Sequence, residues 1–149
     1  MTIQERIDQS ETRVTITVFP FLTNHHDTLF GGKAMAIMDE VSFMCATRFC
    51  RKSLVTVSTD KIDFHRAIPS GSIVEAIARV ESVGRTSLKI SVNIFLESMY
   101  EDGRELAIQG RFTFVALDND KKPIPVLQDL AIGWRSGYQL NFARSYCPG

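Results

Sequence analysis

Hydrophobic and polar residues alternate from Thr12 to Phe19, with Val14, Ile16 and Val18 interleaved with Arg13, Thr15 and Thr17. This period of two, with its β-branched content, predicts a half-buried strand, and Pro20 closes it. A polar loop, Thr23-Asn24-His25-His26-Asp27-Thr28, leads into Leu29-Phe30-Gly31-Gly32. From Lys33 to about Phe49 there is neither glycine nor proline, and alanine and methionine are frequent, which predicts one long helix. At 100° per residue Ala34, Ile37, Met38, Val41 and Cys45 share a side. Met35, Ala36, Phe43 and Ala46 occupy the opposite sector, so the helix is expected to be buried on most sides.

Four further strands are predicted. Leu54–Phe64 is β-rich and ends before the turn Pro69-Ser70-Gly71. Ile73–Ser82 alternates up to Gly84-Arg85. Thr86–Met99 sets Leu88, Ile90, Val92, Ile94 and Leu96 on one face, and Glu101–Arg104 makes a hairpin turn before Leu106–Leu117. A strand, a long helix and then a meander describe an α+β domain, an antiparallel sheet packed on the helix. After Asp118 the pattern weakens. Residues 1–125 are expected to form the domain, and 126–149 a tail of unassigned role with a short helix near Val126–Ile132.

Length and composition narrow the field. The chain has 149 residues, about one domain by the usual ~100–200 residue yardstick. Seventeen basic residues balance seventeen acidic ones, so no net field favours nucleic acid or an anionic membrane. No apolar run approaches the ~18 residues of a membrane span. The amino terminus lacks the apolar core of a signal peptide. Cys45, Cys50 and Cys147 form no CxxC pair, so neither a zinc site nor a dithiol redox motif is indicated, and a reducing cytoplasm is the expected compartment.

The candidate chemistry lies between Asn24 and Glu40. Gly31 and Gly32 at the helix mouth leave backbone N–H groups uncovered at the positive end of the helix dipole, suited to a developing oxyanion. Asp39 lies seven residues beyond Gly32, about 10 Å up the axis. It falls between Met35, Phe43 and Ala46, where a carboxylate shielded from water is a stronger base. Asn24 supplies a neutral donor and acceptor just outside the helix. A tight turn at Gly31-Gly32 and an exposed or ion-paired aspartate are the plain structural alternatives.

The run Asn24…Leu29-Phe30-Gly31-Gly32…Met38-Asp39-Glu40 resembles the hotdog-fold acyl-CoA thioesterases of the broad-specificity, brain acyl-CoA hydrolase type. The resemblance continues through Val55–Asp60 and Asp63-Phe64, through Val83–Ser87, and through Phe112–Asp118, in order and at the right spacings over about residues 12–126. It implies a sheet wrapped around the long helix, dimers with a continuous sheet and interfacial active sites, and further association as a trimer of dimers. It also implies Asp39 as catalytic carboxylate, Asn24 as its partner from the neighbouring protomer, and the Gly32 N–H as oxyanion hole. Gly84, Arg85, Thr86 and Ser87 would hold the phosphates of coenzyme A, which is part of the substrate, so no separate cofactor is implied. Phe30 and Gly31 would contact the substrate, with Met35, Met38 and Phe43 as acyl-chain lining. His25-His26-Asp27 departs from the family's smaller residues at that place, and the tail has no counterpart.

Other residues carry less. Consecutive His25, His26 and Asp27 rarely converge on one metal ion, and no ligand spacing elsewhere supports one. His65 is a candidate acid at a strand end, and Lys61, Arg66 and Arg51 are candidate phosphate contacts beside Arg85. Cys45 lies on the core side of the helix, and Ser42 lacks a G-x-S-x-G elbow. The expected activity is hydrolysis of acyl-CoA to free acid and coenzyme A, with Asp39 either activating water as general base or attacking directly to form a transient anhydride. The alternatives are a non-catalytic acyl-CoA-binding module and a hotdog dehydratase; the second needs a histidine at the helix mouth in a pattern this chain does not show.

Overall fold

The computed structural model describes residues 1–127. Five strands, β1 (Thr12–Thr17), β2 (Ser53–Phe64), β3 (Ile73–Val83), β4 (Ser87–Glu97) and β5 (Glu105–Leu117), form one sheet in the order β1-β3-β4-β5-β2. Every neighbouring pair is antiparallel. The strand boundaries follow the hydrophobic alternation to within two residues, and the α+β class stands. The connectivity corrects the simple meander: only β3, β4 and β5 follow one another as hairpins. β2 lies at the far edge against β5, and residues 65–72 carry the chain back across the sheet end to β3.

The long helix, here α2, runs Gly31–Cys50, starting two residues earlier than the glycine-free run suggests. Arg51 in the left-handed region (φ 55°) ends it, its N–H donating to the Thr47 carbonyl at 2.7 Å. Ala34, Met38, Val41, Cys45 and Phe49 press onto the inward residues of β3, β4 and β5, among them Ala76, Ala78, Leu88, Ile90, Phe112 and Phe114. Each large apolar side chain buried there contributes about 1.5–3 kcal/mol. Burial on most sides is not what α2 shows. The sheet covers one face, while Met35, Ala36 and Phe43 stay exposed on the other.

A short helix, Ile3–Ser10, precedes β1 where no element was expected, and we label it α1. Thr2 caps it, its hydroxyl accepting from the Glu5 N–H at 3.0 Å, and Ile3 and Ile7 bury one turn apart. The two helices then satisfy each other's C-terminal carbonyls. Arg6 donates to the Phe49 carbonyl at 3.2 Å, and Arg48 donates to the Gln9 and Glu11 carbonyls at 2.9 and 3.0 Å and to the Thr12 hydroxyl at 3.0 Å. Beyond β5 the chain folds back, with Ile124 N–H on the Ala116 carbonyl and Val126 N–H on the Arg85 carbonyl, both 2.9 Å. Val126 and Leu127 are buried there. The remainder of the tail, including most of the helix expected near Val126–Ile132, lies outside the described residues.

Candidate active site

The amino terminus of α2 is bare. Its N-cap is Phe30, which offers no side-chain acceptor, and no acidic residue stands in the first turn. The Lys33 and Ala34 N–H groups both donate to the Phe30 carbonyl (2.9 and 3.0 Å), leaving those of Gly31 and Gly32 without an acceptor among the described residues. The two glycines differ in why they lack a side chain. A Cβ on Gly32 would come within 3.2 Å of the Phe30 ring, whereas one on Gly31 would meet nothing within 4 Å, and neither residue has a positive φ. Among the described residues, nothing demands glycine at position 31.

Asn24 belongs to the same end of the helix. The loop that carries it is stitched to the chain entering α2 by the Thr23–Leu29 bridge and by Phe30 N–H on the Leu22 carbonyl at 2.9 Å. Its side-chain oxygen accepts from the His26 N–H (2.8 Å), the Thr28 N–H (3.3 Å) and the Thr28 hydroxyl (3.2 Å). Three donors on one atom fix the amide's orientation, so Nδ2, a donor, is the group left for a ligand.

Asp39 is half-buried, not sealed from water as its apolar neighbours suggested. Its Oδ1 accepts from the Thr56 hydroxyl of β2 at 2.9 Å. Thr56 was not among the candidate residues. It faces the helix because its partner Phe114 lies in the core, a consequence of β2–β5 register that no local pattern reveals. Leu88, next to Ser87, pairs with that same Phe114. The Gly84–Ser87 turn therefore stands level with Thr56, two strand spacings or about 10 Å away. Gly84 is glycine because the Ser87 hydroxyl would lie 2.7 Å from a Cβ. Arg85 is exposed and has no acidic partner among the described residues.

The remaining candidates separate. Phe30, Met35 and Phe43 are accessible, but Met38 is fully buried and belongs to the core. Phe43 packs its ring 6.4 Å from that of Phe114. His65 bonds Gln109 at 3.0 Å, Arg66 pairs with Glu105 at 2.8 Å, and Arg51 and Lys61 hold left-handed backbone positions. Ser42 is fully buried. So is Cys45, and burial pushes its thiol up to about 11, which leaves no thiolate to act as a nucleophile.

The site residues thus fall into two groups. The amides of Gly31 and Gly32 with Nδ2 of Asn24 can hold a developing oxyanion. The Asp39 carboxylate, steadied by Thr56, can activate water. A helix backed by a five-stranded antiparallel sheet and bearing these groups defines a hotdog acyl-transfer enzyme. The thioesterase superfamily model matches residues 26–102. The chain is 41% identical over 118 residues to the uncharacterised acyl-CoA thioester hydrolase YkhA of Bacillus subtilis, covering 79% of this chain and 69% of that one. An acyl-CoA hydrolase from Staphylococcus aureus, solved with butyryl coenzyme A, coenzyme A and coenzyme A disulfide, superposes with a TM-score of 0.79 at 32% identity. That match covers 95% of this chain and 89% of that one. The S. aureus enzyme has also been solved with an aspartate, a threonine and an asparagine each changed to alanine. A hexameric thioesterase from Yersinia pestis matches at 28% identity and a TM-score of 0.70, over 75% of this chain and 91% of that one. The chain belongs to the thioesterase superfamily.

Proposed function

We infer that the protein hydrolyses acyl-CoA thioesters to a free acid and coenzyme A, and we propose that it does so at a site divided between two copies of the chain. The observation that carries the division is distance. Gly32 and Asp39 are separated by seven residues of helix, about 10 Å along the axis. One thioester carbonyl cannot sit on the Gly31–Gly32 amides while a water held by Asp39 of the same protomer attacks it. Asn24 and the amides form one half-site; Asp39, Thr56 and the Gly84–Ser87 turn form the other. β2 supplies the means of joining them. It is an edge strand whose outer side has no partner among the described residues, and Val55, Val57 and Phe64 are exposed along it. Such an edge invites pairing with a second copy. The hexameric relative supports assembly beyond the dimer, as a trimer of dimers.

In the joined site the carbonyl oxygen rests on the amides and on Nδ2 of the partner copy's asparagine. Asp39 takes a proton from water, the water oxygen bonds to the acyl carbon, and the C–S bond breaks. The thiolate of coenzyme A leaves and collects a proton. Arg85, with no acidic partner among the described residues and level with Thr56, contributes to holding the coenzyme's phosphates with the backbone of Thr86 and Ser87. Asparagine, aspartate and threonine of the S. aureus variants follow one another at the same spacings as Asn24, Asp39 and Thr56, which supports these roles. No described helix is long and apolar enough to cross a membrane.

Thiol release from acyl-CoA tests the reading. Asp39→Asn is expected to lower kcat by about 10²-fold or more, with the far-UV spectrum unchanged. Thr56→Val is expected to lower it less, and Thr56→Ser to restore it. Tight acyl-CoA binding by the wild type with no thiol released would establish a binding module instead.

A further inference from the structure

The side chains within one turn of Asp39 on α2 are those of Met35, Ala36, Ser42 and Phe43, at spacings of three and four residues. Of these only Ser42 can form a hydrogen bond. It is fully buried, yet its hydroxyl has no hydrogen-bond partner among the described residues. Not even the Met38 carbonyl, one turn back, receives it, although a helical serine commonly bonds there. A buried hydroxyl left unpaired costs stability, and alanine, the better helix former, would fill the place without that cost. We propose that Ser42 is a positioning residue whose hydroxyl donates to the Asp39 carboxylate in the joined site; this rests on Asp39 as the base of acyl-CoA hydrolysis.

Helical side chains lean toward the amino terminus, so the Ser42 hydroxyl lies over the turn that holds Met38 and Asp39. Cβ atoms three residues apart are about 5–6 Å from each other, a gap that a hydroxyl and a carboxylate reaching toward one another can close. Oδ1 of Asp39 already accepts from Thr56 at 2.9 Å, and Oδ2 has no partner among the described residues. Thr56 comes from the sheet and Ser42 from the core side of the helix. A carboxylate accepts at about four positions, so both hydroxyls and the attacking water fit together. In the protomer Asp39 is half-buried and open to solvent. Once the partner copy closes over the site and water is excluded, the charge needs fixed donors in its place.

No charged neighbour takes this role among the described residues. Asp39 makes no ion pair there, and Glu40 is exposed, 100° further round the helix. β2 turns Thr56, Thr59, Ile62 and Phe64 toward α2, and β5 turns Phe112 and Phe114; none is charged. Thr59 is the next inward position after Thr56, about 7 Å along the strand. Ser42 and Thr56 are thus the two hydroxyls that flank the carboxylate.

The test is thiol release and thermal melting of the full chain as wild type, Ser42→Ala, Ser42→Cys and Asp39→Asn, between about pH 5 and about pH 8. Ser42→Ala is expected to lower kcat about three- to tenfold, with KM within about twofold of wild type and Tm no lower. Because a donor favours the charged carboxylate, the loss deepens as pH falls toward the carboxylate range. Ser42→Cys keeps the bulk but donates weakly, and should lose as much. A Ser42→Ala or Ser42→Cys with wild-type kcat, or a loss that is the same at every pH, overturns this inference. The acyl-CoA reading survives that outcome if Asp39→Asn is still impaired. A wild type that releases no thiol from any acyl-CoA overturns both.

Discussion

Replacing Gly31 with alanine separates the two reasons a helix can begin with glycine. If the glycine serves the backbone, alanine should strain the protein; if it serves a ligand, alanine should improve the fold and harm the chemistry. The geometry favours the second. A Cβ at position 31 touches nothing within 4 Å, and the residue has no positive φ. Alanine therefore adopts the native conformation and restricts only the unfolded chain, a gain of about 0.4–1 kcal/mol. For a chain of this length that corresponds to a rise in Tm of about 1–4 °C. The added methyl stands beside two amides that have no acceptor among the described residues. Loss of one oxyanion donor typically costs ~10²–10³-fold in kcat, and a carbonyl held off the Gly31 N–H should show a loss of about that size. Thermal melts and thiol release on the same preparation measure both quantities. A stabilised Gly31→Ala with wild-type turnover would refute the reasoning, because the bare amide would then have no ligand to receive. A lower Tm would refute it from the other side.

Two further expectations concern the fold. Arg48→Met keeps the apolar stem but removes three hydrogen bonds to the end of α1 and the start of β1. It should lower stability by about 1–3 kcal/mol in urea titrations, with activity retained at low temperature. The Cys45 thiol, raised by burial from 9.0 to about 11, gives the folded state an advantage that is complete below pH 9 and lost as pH climbs toward 11. Between those limits the loss is about 2–3 kcal/mol. Wild type should therefore lose more stability from pH 8 to pH 11 than Cys45→Ala does; equal slopes would contradict the assignment.

How much of this was legible in the sequence depends on how local each feature is. Val14, Ile16 and Val18, and the clean alternation from Leu88 to Leu96, specify strands and their inward faces within a few residues. The bare helix start at Gly31-Gly32 and the two-turn offset to Asp39 follow from composition and helical rise. The helix α1 was also readable, since Thr2 and Glu5 stand at capping-box spacing before Ile7, but the signal is only eight residues long. Thr56 was not readable as a site residue. It meets Asp39 only because β2 travels to the far edge of the sheet and registers with β5, a pairing between segments about fifty residues apart. The exposed face of α2 misled for a related reason. Met35, Ala36 and Phe43 carry the same apolar signal as a buried face, yet they stay exposed in the protomer because the sheet covers only the other side of the helix.

The division of the active site between two copies is tested most directly by mixing two inactive variants. Asn24→Ala and Asp39→Ala, each assayed alone, should show little thiol release. When they are unfolded together and refolded at equal amounts, half of the dimers are mixed, and each mixed dimer regains one intact site. The mixture should then recover roughly a quarter of wild-type activity. A mixture as inactive as its two components, despite demonstrated subunit exchange, would place both residues in one protomer's site and contradict the account.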